Sequence, residues 1–578
     1  QEYPNDSLYQ IDVRKMACLA CNGKAVSLVK YRVEAHCKGI KHKAKLKKLE
    51  ITQKDDAGSL KAFGMMSKEA GCLYGDALTD HEKLMQIEAV KGCLASGIPL
   101  HALENPVFRD FLDHVKVILP GRQHLGKHVT FILKEELQKI LDELGDGNYS
   151  VCFDATPYLC ECFGVGIQFI NQGGKVVQRV LKLSMLRQSM TAEHMVSEIN
   201  RVVVHEYRLD PTRCRGFMAD GCAANLLALD SLKMIFNKAV SIRCFSHMFN
   251  NIGKRLNAPE LDMFLGKLYT LLSHSPLAKA LVLEEAGVAA PSTPGHRWGS
   301  KYECDERLAL NWPGLVKFVA MYSSGDDKKS KTVKWMQNEL ERTRPDGKKQ
   351  LAVIKTQLGM MVDVGVHVTI ATILLEGDSP PVSALDEEGL FVNDVSLPTV
   401  KAIIAAETGQ GEDHGATADL IMSEVQDEVQ PLREYAHENI GSHKEAKLAP
   451  TLLLFRAAKL LDFSYMKRHK YSDDDIRLLK VFPFVTDAML LGHISEKEEF
   501  FMAAIDTDID YDHMVFWAEN KRKLPTWFTV VSDVALLQPS SAFMERVVFR
   551  SSGVVLTNGR NTCTATAYAL PQCSSTTV

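Results

Sequence analysis

No run of eighteen or more apolar residues occurs in this chain of 578 residues, so no transmembrane helix is expected. The opening QEYPNDSLYQ lacks the charged-then-apolar pattern of a leader, so no signal peptide is expected. Without an initiator Met, that opening points to a fragment or a processed start. Cysteine is sparse for the length, 14 residues that mostly stand singly in apolar stretches. This excludes a disulfide framework and favours reduced thiols in a cytosolic or nuclear compartment. A large excess of one charge is also missing, the formal net charge being only −4. Hydrophobic content of 46% and charged content of 24% are those of ordinary globular protein and exclude a disordered tail. A chain this long splits into several domains with cores large enough to fold unaided.

The charge that is present is unevenly placed. Cys37 to Leu49, CKGIKHKAKLKKL, holds six lysines (Lys38, Lys41, Lys43, Lys45, Lys47 and Lys48) and no acid. A local basic run, rather than overall charge, is the electrostatic footprint of a nucleic-acid binder. Just before and within it, Cys18 and Cys21 are separated by two residues, fourteen precede His36, and five separate His36 from His42. A C-x₂-C knuckle followed by an H-x₃₋₅-H pair is the spacing of a tetrahedral structural zinc site, whose metal supplies folding energy to a segment too small for its own core. Two core cysteines and two surface histidines are the alternative. After the polar linker ITQKDDAGSL, the stretch EAVKGCLASGIPLHALENPVFRDFLDHVK reads as two amphipathic helices about a Gly-Ile-Pro turn. These helices serve either DNA binding or dimerisation.

From Tyr149 the period changes. YSVCFDA, FGVGIQFI and KVVQRVLKLSML read as strands, TAEHMVSEINRVVVHEY as a helix, and a further strand runs to Asp220 in RGFMADGCAAN. The strand AVSIRCF follows and delivers Cys244 and His247. Asp154 and Asp220 end apolar runs, and Glu545 in QPSSAFMERVVF follows a Ser-Ser-Ala that starts a helix. A lone Asp at a strand end is ordinarily a turn or cap residue. A carboxylate triad gathered from distant segments instead suits Mg²⁺ or Mn²⁺, hard ions that take one or two carboxylates together with substrate phosphate. Two such ions activate a water and stabilise the leaving oxygen of a phosphodiester.

The words around these acids resemble the hAT superfamily of DNA transposases. The matching pieces are Asp154, Asp220, the Cys-x-x-His of RCFSHMFNNI (Cys244, His247), HRWGSKY (His296, Arg297, Trp298) and SSAFMER with Glu545, all in the family's order and spread over nearly the whole chain. The amino-terminal finger resembles the BED type found at the front of hAT proteins. Finger and helices together are similar to the CGG-repeat-binding protein, a DNA-binding relative without the nuclease. The resemblance implies an RNase H-like core whose Asp154, Asp220 and Glu545 bind Mg²⁺ or Mn²⁺. It implies that His247 lies near the scissile phosphate, that Arg297 holds phosphate, and that Trp298 stacks on a base turned out of the duplex. An isolated Trp is otherwise a core residue, and a lone Cys-x-x-His is otherwise half of a zinc site. No second pair with ligand spacing follows it.

The expected fold is therefore an α/β multidomain protein in five parts. They are a BED-type zinc finger with basic tail at 1–52, a helical DNA-binding or dimerisation segment at 80–148, an RNase H-like core at 149–308, an α-helical insertion at 309–521, and the last part of the core at 522–578. Expected partners are double-stranded DNA, as element terminal repeats and target, and further copies of the chain, at least as a dimer, with no membrane. The expected compartment is the nucleus. The chain departs from the family after Glu545-Arg546, where Val547, Val548 and Phe549 are one residue too many, and the Ser/Thr-rich remainder contains no acid. A frameshift after Arg546 or Val547, or a divergent tail, accounts for it. A catalytically inactive, transposase-derived DNA-binding regulator is the alternative function. An RNase H-type nuclease acting on RNA leaves the finger, the insert and Trp298 unexplained.

Overall fold

The computed structural model describes residues 8–12, 15–18 and 24–27, and residues 80–544 apart from 97, 116, 158–160, 187–188, 288–297, 324–329, 377–396, 409–413, 441–448, 510 and 542. They form an α/β multidomain protein, mostly helical, with a three-stranded and a five-stranded sheet. Two compact units emerge. One combines the described residues up to Cys244 with those from Leu454 onward, and the other runs from Phe245 to Leu453.

In the first unit, β1 (Leu8–Asp12), β2 (Lys15–Cys18) and β3 (Lys24–Ser27) form an antiparallel sheet in sequence order. Cys18 ends β2, whereas Cys21, His36, His42 and the six lysines expected to contact DNA lie outside the described residues. The helices Asp80–Ala95, Pro106–His114 and Arg122–Leu144 follow. Asn105 caps the second through the Val107 N–H at 3.0 Å, with Pro106 at its first position, the arrangement that starts a helix at least cost.

The five-stranded sheet runs β6-β5-β4-β7-β8. Its strands are β4 (Tyr149–Pro157), β5 (Glu161–Ile170), β6 (Val176–Leu186), β7 (Cys214–Ala219) and β8 (Val240–Arg243). β4, β5 and β6 pair antiparallel, while β7 and β8 join parallel to β4. The element order expected from the hydrophobic pattern is the one found, with the expected helix divided into Ala192–Asn200 and a wider turn, Arg201–Glu206. Because strand side chains alternate, Tyr149, Val151 and Phe153 of β4 share one face. There they join a core with Ile140, Leu144, Ile199, Phe217 and Leu232. Ser150, Cys152 and Asp154 are left for the other face.

That second face is covered by the carboxyl-terminal part of the unit. Leu537 Cδ2 stands 2.5 Å from where a Cβ on Gly216 would lie, and Met544 Sδ 2.6 Å from the corresponding point on Gly166. Glycine at these two positions lets the segment lie flat on the sheet. Gln168 donates to the Ala535 carbonyl at 3.1 Å and Gln178 to Gln538 at 2.6 Å. Behind it, Phe463, Phe500, Phe516, Trp517 and Trp527 form an aromatic core, Phe500 and Trp527 having centroids 4.8 Å apart.

The second unit is helical. Its long helix Gln350–Glu376 packs against Phe245–Gly253, Pro259–His274, Trp298–Leu310, Pro398–Thr408 and His414–Ile440. Gly365 makes room for the Tyr302 ring, whose Cδ2 is 2.5 Å from the missing Cβ. Gln350–Thr372 is long and apolar enough to cross a membrane by length and composition, yet 72% of that window is buried within the fold. It carries Lys355 and Asp363, and its burial among helices is that of a core helix. The helical stretch expected as one insert over 309–521 divides at Leu454. Helical periodicity reports that a helix has an apolar face but not which core that face joins.

Candidate active site

Two of the acids singled out by the sequence belong to neighbouring strands of the sheet or follow directly from them. The β4–β7 ladder pairs Ser150 with Gly216, Val151 with Phe217 and Cys152 with Met218. The ladder closes at Cys152 and Met218; Asp154 lies beyond that pair within β4, and Asp220 immediately follows β7. The β7–β8 ladder pairs Ala219 with Arg243, and the Cys244 N–H donates to the Ala219 carbonyl at 2.9 Å. Cys244 is thus next to Asp220 in the same row, each immediately following a parallel strand, while Asp154 lies within β4. Such strand ends, where chains diverge into loops, are where open α/β sheets place their ligands.

Each acid is held differently. Asp154 is half-buried and its Oδ1 accepts the Ala155 N–H at 2.9 Å. Asp220 Oδ1 accepts the Cys222 N–H at 3.1 Å and the Asn225 side-chain amide. Both of those hydrogen bonds fall on Oδ1 and neither on Oδ2. They tie the carboxylate to the first turn of the helix Ala223–Leu232, whose amino-terminal dipole favours negative charge. Asn225 is 2% exposed, and its Oδ1 is a buried acceptor with no hydrogen-bond partner among the described residues. Carboxylates are the hard-oxygen donors that Mg²⁺ or Mn²⁺ takes, and Asp220 is hydrogen-bonded through one oxygen. Among the described residues no three His, Cys, Asp or Glu side chains cluster as metal ligands, and Glu545 lies outside those residues.

Below the acids, the Cys152 and Cys244 thiols are buried. Burial pushes the Cys152 thiol well above its usual range, and Asp154 and Cys244 push the same way. Of the two, the sequence singles out Cys244, in the Cys-x-x-His, but not Cys152. Cys152 is visible in YSVCFDA only as the inward neighbour, two residues back, of Asp154, and Asn225 only as a polar residue in an apolar first turn.

The remaining motif residues belong to the second unit or lie outside the described residues. His247 is half-buried on the helix Phe245–Gly253, and Trp298 begins the helix Trp298–Leu310. These two helices pack on each other and on Gln350–Glu376, so His247 and Trp298 lie on neighbouring helices of that unit. His296 and Arg297 lie outside the described residues. The Trp298 helix is pinned by Lys301, whose Nζ reaches Asp262 at 3.0 Å and the buried Asp305 at 3.1 Å. Burial raises the Asp305 carboxyl to about 6 despite that lysine. No protein-family model matches the chain, and no curated protein matches it.

Proposed function

We propose that the chain is an hAT-like DNA transposase that cleaves DNA strands at element ends and joins them to a target. The observation that carries this reading is that β4, which bears Asp154, and β7, which Asp220 follows, are neighbouring parallel strands. The strand order supports an RNase H-like core, with three antiparallel strands, a helix and then parallel strands. The first acid is on its first strand and the second lies just past its fourth. Mg²⁺ or Mn²⁺ bound by such carboxylates lowers the pKa of a water and neutralises charge on the phosphate. Asp154 and Asp220 hold the reacting phosphate's counter-charge in place, Asp220 fixed by Cys222 and Asn225, and Glu545 is the third carboxylate. Water and then a 3′-hydroxyl are the nucleophiles. His247, Arg297 and Trp298 position the cut strand, Trp298 by stacking on an unpaired base. Cys18, Cys21, His36 and His42 hold a structural zinc ion in a finger that reads element ends. Lys38, Lys41, Lys43, Lys45, Lys47 and Lys48 contact phosphates, with the chain acting as at least a dimer in the nucleus.

Mg²⁺-dependent cleavage of duplexes taken from the DNA flanking this gene tests the reading, with Asp154→Ala as control. Cleavage that disappears in the control while binding persists is the expected result. Binding without cleavage in the unaltered chain replaces the enzyme with a DNA-binding regulator, the reading favoured by the acid-free sequence after Arg546. Equal loss of binding and cleavage in Asp154→Ala removes Asp154 from the catalytic assignment.

A further inference from the structure

We infer that Glu428, Gln357 and Leu261 form a proton-dependent latch within the second unit, closed in mild acid and loosened above neutral pH, which ties the helix His414–Ile440 to the start of the helix Pro259–His274. The latch is independent of the active-site reading above. It concerns how firmly the helices of this unit are held.

The helix Pro259–His274 begins without a side-chain cap, because Ala258 stands in that position. The Leu261 N–H is one of the first-turn donors that find no acceptor within their own helix, and it donates instead to Gln357 Oε1 at 2.8 Å. An N–H can only donate, so the Gln357 amide has a single orientation, and its Nε2 is turned toward Glu428 Oε1, to which it donates. Gln357 is only 2% exposed. The Glu428 backbone carbonyl adds a second tie by accepting the Asn257 N–H at 3.2 Å.

The charges on this seam are unevenly shared. Glu424 lies one turn before Glu428, where like charges repel, and it takes the cations, the buried Lys348 at 2.7 Å and Arg344 at 3.9 Å. Among the described residues the Glu428 side chain makes no ion pair, and its hydrogen-bond partner is the neutral Gln357 amide. Glu260, next to Leu261, accepts from Gln350 Nε2 at 2.6 Å. Burial pushes the Glu428 carboxyl up to about 7, the Gln357 hydrogen bond and Arg344 pull against this, and Glu424 and Glu260 push further up. Phe245–Gly253 and Pro398–Thr408, which also pack on His414–Ile440, carry His247 and Lys401, and Arg255 stands over the Tyr435 ring at 4.8 Å. None of these three ranks with the groups just named.

With its proton, Glu428 is neutral and still accepts from Gln357 through its carbonyl oxygen, so the bridge to Leu261 stays whole. Without it, a carboxylate screened from water is repelled by Glu424 and Glu260. Swinging out to solvent relieves both costs, and it removes the partner that holds the Gln357 amide against Leu261. In the closed latch the carboxyl keeps its proton up to about pH 7, whereas a released Glu428 titrates at its ordinary 4.5. Closure is therefore favoured most below pH 4.5, and that advantage is lost as pH rises through about 7.

Hydrogen exchange of the Leu261 amide in the full chain, corrected for the intrinsic pH dependence of exchange and compared with amides of β4 in the other unit, tests the latch. Protection at Leu261 is expected to fall about tenfold between pH 6 and pH 8, the change required by a carboxyl at 7 when closed and 4.5 when released, while the β4 amides keep theirs. Glu428→Gln retains the acceptor and removes the charge, so its Leu261 protection should be the same at both pH values and no weaker than that of the unaltered chain at pH 6. Gln357→Met removes the bridge and should leave Leu261 poorly protected at both.

Equal protection at pH 6 and pH 8 in the unaltered chain overturns the inference. So does a fall that survives in Glu428→Gln, or full Leu261 protection in Gln357→Met. Should Glu428→Gln fail to fold, Glu424→Gln decides instead. It takes away a repelling charge and frees Lys348, which should move the fall in protection to lower pH, and an unmoved fall overturns the latch.

Discussion

Arg215 on β7 and Asp533 on the helix Pro525–Val534 form an ion pair of 2.8 Å, with side chains 11% and 6% exposed. Asn148, one residue before β4, donates to the other carboxylate oxygen at 2.5 Å, and the Arg215 guanidinium lies 5.4 Å from the Phe484 ring centre. Burial pushes the Asp533 carboxyl upward, and Arg215 and Asn148 pull it back. The starts of β4 and β7 are thereby fastened to that helix.

Arg215→Met should accordingly destabilise the first unit. Removing one partner of a buried pair leaves an uncompensated charge and costs about 3–5 kcal/mol. A urea-unfolding midpoint within error of the unaltered chain would show that the pair contributes nothing net. The paired change Arg215→Met with Asp533→Leu should recover much of the loss, because replacing a buried pair by apolar residues is often neutral.

His493 gives the first unit an acid limit. It is fully buried, with its ring 4.7 Å from that of Trp527, and burial lowers it to about 4. Between pH 6.5 and about 4 the unfolded chain binds a proton that the folded chain refuses. The contribution of His493 is therefore complete above pH 6.5 and is lost as pH falls toward 4, by about 3 kcal/mol in all. His493→Phe should flatten that part of the stability profile relative to the unaltered chain. Parallel profiles for the two proteins across this window would refute the assignment.

Asn225 should matter to metal binding more than to folding. Its amide orients Asp220 through Oδ1, and outer partners of metal ligands change affinity about 10–100-fold when removed. Asn225→Leu should shift the Mg²⁺ concentration for half-maximal cleavage upward by that order with a nearly unchanged rate at saturation. A fall in saturated rate at unchanged Mg²⁺ dependence would mean that Asn225 acts elsewhere.

Much of this was legible in local pattern. The apolar runs in YSVCFDA and RGFMAD mark as strands the segments that carry Asp154 and lead to Asp220. What local pattern cannot carry is partnership across the chain. Nothing in RCRGFM marks Arg215 as the partner of a helix residue near position 533, and nothing in RCF marks Cys244 as an acceptor for Ser541. Hydrophobic periodicity likewise found the helices from 309 to 521 without separating those that build the second unit from those that cover the sheet. Gly166 of FGVGIQFI, unmarked in the sequence, is a position where another segment comes close.

Gly166 makes that last point testable. A methyl group there would meet Met544 Sδ at 2.6 Å, Phe543 Cε1 at 2.9 Å and the Arg179 carbonyl at 3.2 Å. The two side chains belong to the docked segment and the carbonyl to the sheet, and the sheet is held by ladders on both sides of β5. The segment is thus the part that yields. Gly166→Ala should leave the sheet intact, as judged by far-ultraviolet circular dichroism and by slow exchange of β4 and β5 amides. It should speed exchange at Phe543 and Met544 and lower the urea-unfolding midpoint, because the displaced side chains lose their packing on the sheet. Loosening of β5 with unchanged exchange at Phe543 and Met544 would show instead that the sheet yields and the segment does not.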